Sequence, residues 1–133
     1  MSEAPRVRIV AAVVRDGAGQ TLLVRKRGAA VFQQPGGKRD PADADDLATL
    51  ARELREELGC DLRHASARFL CRASAPAANE HGHVVEAEVY EVEVDGEPRA
   101  QAEIAELRWV DPAAPGVPVA RLSLEHILPL LRA

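Results

Sequence analysis

Leucines at 47, 50, 54 and 58 recur at three- and four-residue spacing, which draws one apolar stripe along a helix over 46–58. Asp43, Asp45 and Asp46 precede the stripe, where an N-cap and the helix dipole favour acids, and Gly59 follows at the C-terminal stop. This helix constrains the fold most, because it has a face that must be buried and strands on both sides in sequence. "RVRIVAAVVR" (6–15) is dense in β-branched residues and reads as a strand, "DGAGQ" (16–20) as a turn, and "TLLVRKR" (21–27) as the returning strand of an antiparallel hairpin. "PGG" (35–37) is expected to break the chain.

Beyond the helix, 67–74 and 83–94 read as strands, the second with apolar and acidic residues alternating from Val85 to Val94, one face wet. Residues 106–110 form a short strand, and 120–132 a helix that Pro129 interrupts late. Strands on either side of a central helix, closed by a second helix, predict an α/β sandwich on a mixed sheet. The 133 residues are expected to form a single domain, 1–133, with a core of aliphatic side chains, since aromatics are only 3%. A net charge of −4, with lysine only at 26 and 38, argues against a nucleic-acid polymer as partner. Cys60 and Cys71 form no CxxC pair and are expected to be free and buried. No signal peptide and no apolar run of about 18 residues is present, so a cytoplasmic protein without a membrane partner is expected.

Glu53, Glu56 and Glu57 span an arc of about 100° on the helix, away from the leucine stripe. Like charges this close repel, whereas a hard divalent cation such as Mg²⁺ would convert repulsion into coordination and share a substrate phosphate. Gly36 and Gly37 would let backbone approach the ligand closely. The residues alone leave two readings open: a metal-and-phosphate site, or a solvated acidic helix behind a capped loop.

"GGKRDPADADDLATLARELREELGC" resembles the Nudix box, in which Gly, five residues, Glu and seven residues lead into Arg-Glu-U-x-Glu-Glu-x-Gly-U, U being apolar. Gly37 supplies the glycine, and Arg52, Glu53, Leu54, Glu56, Glu57, Gly59 and Cys60 match the second half. "LLVRKRG" before the box and "AELRWVD" after it also look like Nudix hydrolases. Two departures stand out. Asp43 occupies the place of the first Glu, and eight residues separate it from Arg52, so the loop carries an insertion or the register puts Ala44 there.

The resemblance implies a Nudix-type α/β/α sandwich and hydrolysis of a nucleoside diphosphate linked to a group X. A nucleoside triphosphate, as for MutT-like members, is the first expectation; NDP-sugars and dinucleoside polyphosphates follow. It implies Glu53, Glu56 and Glu57 as Mg²⁺ or Mn²⁺ ligands, the Gly37 carbonyl as a further one, and Arg52 as an orienting partner of the first acid. Family members take the general base from a box Glu or from a later loop. Of Glu97, Glu103 and Glu106 ahead of Trp109, Glu103 lies at the distance that MutT-like members use. Arg27 and Lys38 are candidates for phosphate contact, Lys26 pointing away from the face that Arg25 and Arg27 share. Phe32 is a candidate to stack on a base, or a core residue; Trp109 reads as packing, and His81 and His83 as solvated rather than as a metal pair. The rivals are a non-catalytic nucleotide sensor and an interaction module with an acidic face. Many family members dimerise, through the first strand or last helix here.

Overall fold

The computed structural model describes residues 4–78 and 81–132. Strand β1 (Arg6–Val13) is the centre of a four-stranded mixed sheet. It runs antiparallel to β3 (Gly36–Lys38) and parallel to β6 (Val84–Glu91), which pairs antiparallel with β5 (Arg68–Pro76). Two antiparallel pairs complete the strands: β2 (Thr21–Lys26) with β8 (Ile104–Val110), and β4 (Asp61–Leu62) with β7 (Val94–Asp95).

The period-2 geometry of β1 divides the core in two. Val10, Ala12 and Val14 face α1 (Asp46–Leu58) and join Leu50, Leu54 and Leu58, while Ala11 and Val13 face the opposite layer with Leu122, Ile127, Leu128 and Leu131. A strand buried on both faces reads as a continuous apolar run, which is why 9–14 shows no polar alternation. The three leucines of α1 are fully buried, each stabilising the fold by about 1.5–3 kcal/mol. The α1 boundaries agree with those read from the sequence. Asp45 caps it, accepting from Ala48 N–H at 2.9 Å, and Gly59 ends it at φ 68°.

Four expectations need correction. Residues 16–20 do reverse the chain, with Asp16 Oδ1 accepting from Ala18 and Gln20 N–H, but β1 and β2 share only the Arg15–Thr21 bridge before joining different sheets. The turn fixes the reversal; long-range burial decides which edge each strand pairs. "PGG" is no break, because Gly36 and Gly37 pair with Ala11 and Val10. The strand read over 83–94 is two strands, and the acidic side of β6 is an ion-paired stripe, with Glu86 on Arg6, Glu88 on Arg72 and Glu91 on Arg68. Cys60 is buried but Cys71 only half-buried.

The final helix forms with a wide π turn at Ser123–Ile127 ahead of α2 (Leu128–Leu131). Leu128 N–H bonds the Ser123 carbonyl five residues back, which lets Pro129, without an N–H, follow with little loss of bonding. Among the described residues no helix is long and apolar enough to cross a membrane.

Candidate active site

The glycine strand β3 lies across α1, and this crossing buries two of its three glutamates. Glu53 is 8% exposed and Glu57 1%. Gly36 N–H donates to Glu57 Oε1 at 3.0 Å, and Glu57 Oε2 has no partner. Desolvation pushes the Glu57 carboxyl up to about 8; the Gly36 bond opposes the shift, and the charges of Glu53 and Glu103 add to it. Burial also raises Glu53, against the Arg52 hydrogen bond. A Cβ on Gly37 would sit 2.5 Å from Glu53 Cδ, so the strand can cross with Glu53 in this position only as glycine.

Glu103 arrives from the loop before β8. One carboxylate oxygen each of Glu53, Glu57 and Glu103 lie within 4.8 Å of one another. Glu56 is not brought into this group: its side chain is more than half exposed, 3.9 Å from Arg52 Nη1. Neither His81 nor His83 belongs to such a cluster among the described residues; they lie on a turn, His83 Nδ1 against the His81 carbonyl at 3.2 Å. Asn79 and Glu80 of that loop lie outside the described residues.

Arg52 is the brace. Nη1 donates to Glu53 Oε1 at 2.8 Å, and Nη2 to the Lys38 carbonyl at 3.1 Å. Nε and Nη2 grip Asp43 at 3.3 and 2.8 Å. Asp43 also accepts from Thr49 Oγ1 and Asp40 N–H, both at 2.8 Å. The first acid is therefore Asp43, not Ala44. Asp43 thus reaches Arg52 while Asp45, two residues on, caps the helix. The Arg52 guanidinium, followed by the Asp40 N–H, holds the Asp43 carboxyl well below the usual 3.8. Because its folded value is depressed, Asp43 stabilises the fold above that pH, and the contribution is lost as pH falls toward the folded value. We expect Asp43→Ala to lower the melting temperature at pH 7 and by less at pH 2. Its turnover should fall about tenfold as Glu53 loses its orientation; melts at the two pH values and kcat check both.

Of the remaining candidates, Lys38 is exposed at the rim of a 110 Å³ cavity. The cavity runs from Lys26, Gln33 and Gly37 to the aliphatic Val7, Ile9 and Leu122, on the sheet face opposite α1. Arg27 is exposed and turned to its own neighbourhood, Nε on the Ala102 carbonyl at 3.4 Å. Phe32 is 4% exposed in a cluster with Leu23 and Val110, so it is a core residue with no ring face for a base. Trp109 packs on the α1 core.

Lys26 does lie on the face of β2 opposite Arg25, but that face is the one turned to the carboxylates: its Nζ stands 3.9 Å from Glu103, while Arg25 pairs with Glu106 at 3.0 Å. Leu22 and Val24 of the same strand pack in the α1 core, so unbroken alternation brings Lys26 to that side, and the register shift falls in β8, where Glu106 and Ile104 oppose Arg25 and Lys26. Thr49, fully buried under Asp43, and Gln34, whose Oε1 is buried without a partner, were also missed.

A mixed sheet between helical layers, with a glycine strand laid over glutamates of the long helix, defines the class. The sequence pattern of the NUDIX domain matches residues 5–131, and the chain belongs to the Nudix hydrolase family. A MutT NUDIX hydrolase of Burkholderia pseudomallei is 25% identical with a TM-score of 0.75, 95% of each chain being covered. The MutT protein of Methanosarcina mazei Go1 shares the fold at 21% identity and TM-score 0.78, over 98% of this chain and 96% of that one. Over 37 residues, 28% of this chain, the sequence is 57% identical to peroxisomal coenzyme A diphosphatase NUDT7 of Mus musculus. That match spans 15% of the relative's length.

Proposed function

We propose that the protein hydrolyses the phosphoanhydride of a nucleoside diphosphate linked to a group X, a nucleoside triphosphate first, with a divalent cation, Mg²⁺ or Mn²⁺. The observation that carries this reading is Glu57: a buried carboxylate with one oxygen unpartnered, beside two further carboxylates. An unpaired buried charge is costly, and a cation within reach of Glu53, Glu57 and Glu103 offsets that cost. The donor set is all oxygen, which suits a hard cation that keeps part of its water.

Glu53 and Glu57 would hold the ion, with the Gly37 carbonyl beside them and Glu56 entering from the exposed rim. When bound, the ion supplies charge neutralisation to the phosphate chain and Lewis acidity. The other tasks fall to the chain. Glu103 accepts the proton of the attacking water, and Lys26, its Nζ 3.9 Å from the Glu103 carboxylate, sets a cation beside the reacting phosphate. Arg52 orients Glu53 rather than reacting. Lys38 lies at the mouth of the cavity, where it meets phosphate oxygens, and the aliphatic end takes the organic half of the substrate.

The similarity to a coenzyme A diphosphatase favours a second reading, in which the substrate is a diphosphate diester of that type. A panel of nucleoside triphosphates, NDP-sugars, dinucleoside polyphosphates and coenzyme A, each with Mg²⁺, separates the two. Release of pyrophosphate from a triphosphate is the expected result. Preferred cleavage of coenzyme A selects the second reading, and binding without turnover across the panel indicates a sensor.

A further inference from the structure

The last four carbonyls of a helix have no partner within it. In α1 these belong to Arg55, Glu56, Glu57 and Leu58, on the turn that carries the box glutamates, and the Gly59 cap N–H already meets the Arg55 carbonyl at 3.1 Å. One surface loop supplies a donor to each of the four. Gln101 Nε2 donates to the Arg55 and Glu56 carbonyls at 2.7 and 3.0 Å. Gln101 N–H reaches the Glu57 carbonyl at 3.2 Å, and Arg99 N–H the Leu58 carbonyl at 3.0 Å. Gly59 leaves the space that this amide fills, since a Cβ there would lie 3.0 Å from Gln101 Oε1.

The chain then turns sharply. Ala102, at φ 54°, is the one non-glycine with positive φ among the described residues, and Ile104 N–H closes the turn on the Gln101 carbonyl at 3.0 Å. Glu103 sits inside that turn, its carbonyl receiving Arg27 N–H at 2.8 Å. An alanine stays left-handed only when its neighbours hold it there.

We infer that Gln101 is a positioning residue: by bridging the end of α1 through its side-chain amide, it fixes the Ala102 turn and so holds Glu103 opposite Glu53 and Glu57. The helix that carries the two buried glutamates thereby also sets the distance to the third carboxylate. The effect on turnover rests on the hydrolase reading and on Glu103 as proton acceptor; the mechanical link does not.

Two variants test it. Gln101→Met keeps length and removes the donor, whereas Gln101→Lys restores a donor suited to a helix C-terminus. By amide hydrogen exchange on the full chain without substrate, Q101M should exchange about tenfold faster at Arg27 and Ile104, the scale of one lost hydrogen bond. Leu54 in the helix interior should keep its protection, and Q101K should recover the loop. In turnover, kcat of Q101M should fall about tenfold with KM within twofold. In a Glu103→Gln background the same substitution should add almost nothing, because it acts through Glu103.

Unchanged exchange at Arg27 and Ile104, or full additivity with E103Q, overturns the inference. A wild type that hydrolyses nothing overturns the hydrolase reading, and exchange alone then decides the link. Should Q101M fail to fold, Gln101→Glu, of equal length and without a donor, stands against Q101K in both measurements.

Discussion

Glu57→Gln is expected to lower turnover by about 10³-fold and, without metal at pH 8, to raise the melting temperature. The loss follows from the ion's charge stabilisation, several kcal/mol, at 1.36 kcal/mol per factor of ten. The gain follows from burial. Desolvation lifts the folded-state value of Glu57 to about 8 from an ordinary 4.5, so the native state binds this proton more tightly than the unfolded chain does. The sign is then fixed: the contribution is fully present below pH 4.5, is lost as pH rises toward 8, and is flat above.

For a side chain 1% exposed, the loss by pH 8 is on the order of a few kcal/mol. Metal-free wild type should therefore melt progressively lower from pH 5 to pH 8, and Mg²⁺ should raise its melting temperature most at the upper end. In E57Q the amide still accepts from Gly36 N–H and carries no charge. Only the slope from Glu53, also raised by burial, should remain. Melts in EDTA and in Mg²⁺ across this range provide the check. A flat metal-free profile for the wild type would show that Glu57 is not held protonated.

The sequence made some parts of the site legible and not others, and the division is physical. Helical periodicity placed α1 and its caps, because spacing and cap chemistry are local properties. Asp43 was recognisable as a departure from the box, but whether it or Ala44 meets Arg52 depends on loop geometry. The arc of Glu53, Glu56 and Glu57 was visible, yet not that β3 covers two of them and leaves Glu56 in solvent. That outcome is set by pairing between Gly36–Lys38 and β1, a contact across 25 or more residues of chain. Alternation sets Lys26 apart from Arg25 but does not say which face of β2 meets the carboxylates, and Phe32 belongs to a core cluster that joins β2, β8 and the chain near Val119.

Gly36 and Gly37 are expected to fail in different ways when replaced by alanine, and the contrast separates scaffold from chemistry. At Gly36 a Cβ would meet the Val10 carbonyl at 2.1 Å and the Ala11 Cα at 3.0 Å, with φ at 138°. Backbone cannot step aside without breaking the β1–β3 pairing, so Gly36→Ala should destabilise the protein by about 2–5 kcal/mol, combining unfavourable φ with overpacking. At Gly37 the obstacle is the Glu53 carboxylate, 2.5–2.7 Å from the added carbon, and this is the free end of a side chain. It can swing away, but doing so takes it off Arg52 Nη1 and out of the group with Glu57 and Glu103. Gly37→Ala should therefore keep its melting temperature within a few degrees yet lose about 10²-fold in kcat, the scale of a 1 Å misplacement in an active site. Titration with Mn²⁺ gives a readout independent of substrate: G37A should bind the ion more weakly although it is folded. If G37A kept both its affinity for Mn²⁺ and its turnover, Glu53 could not be a ligand of the ion.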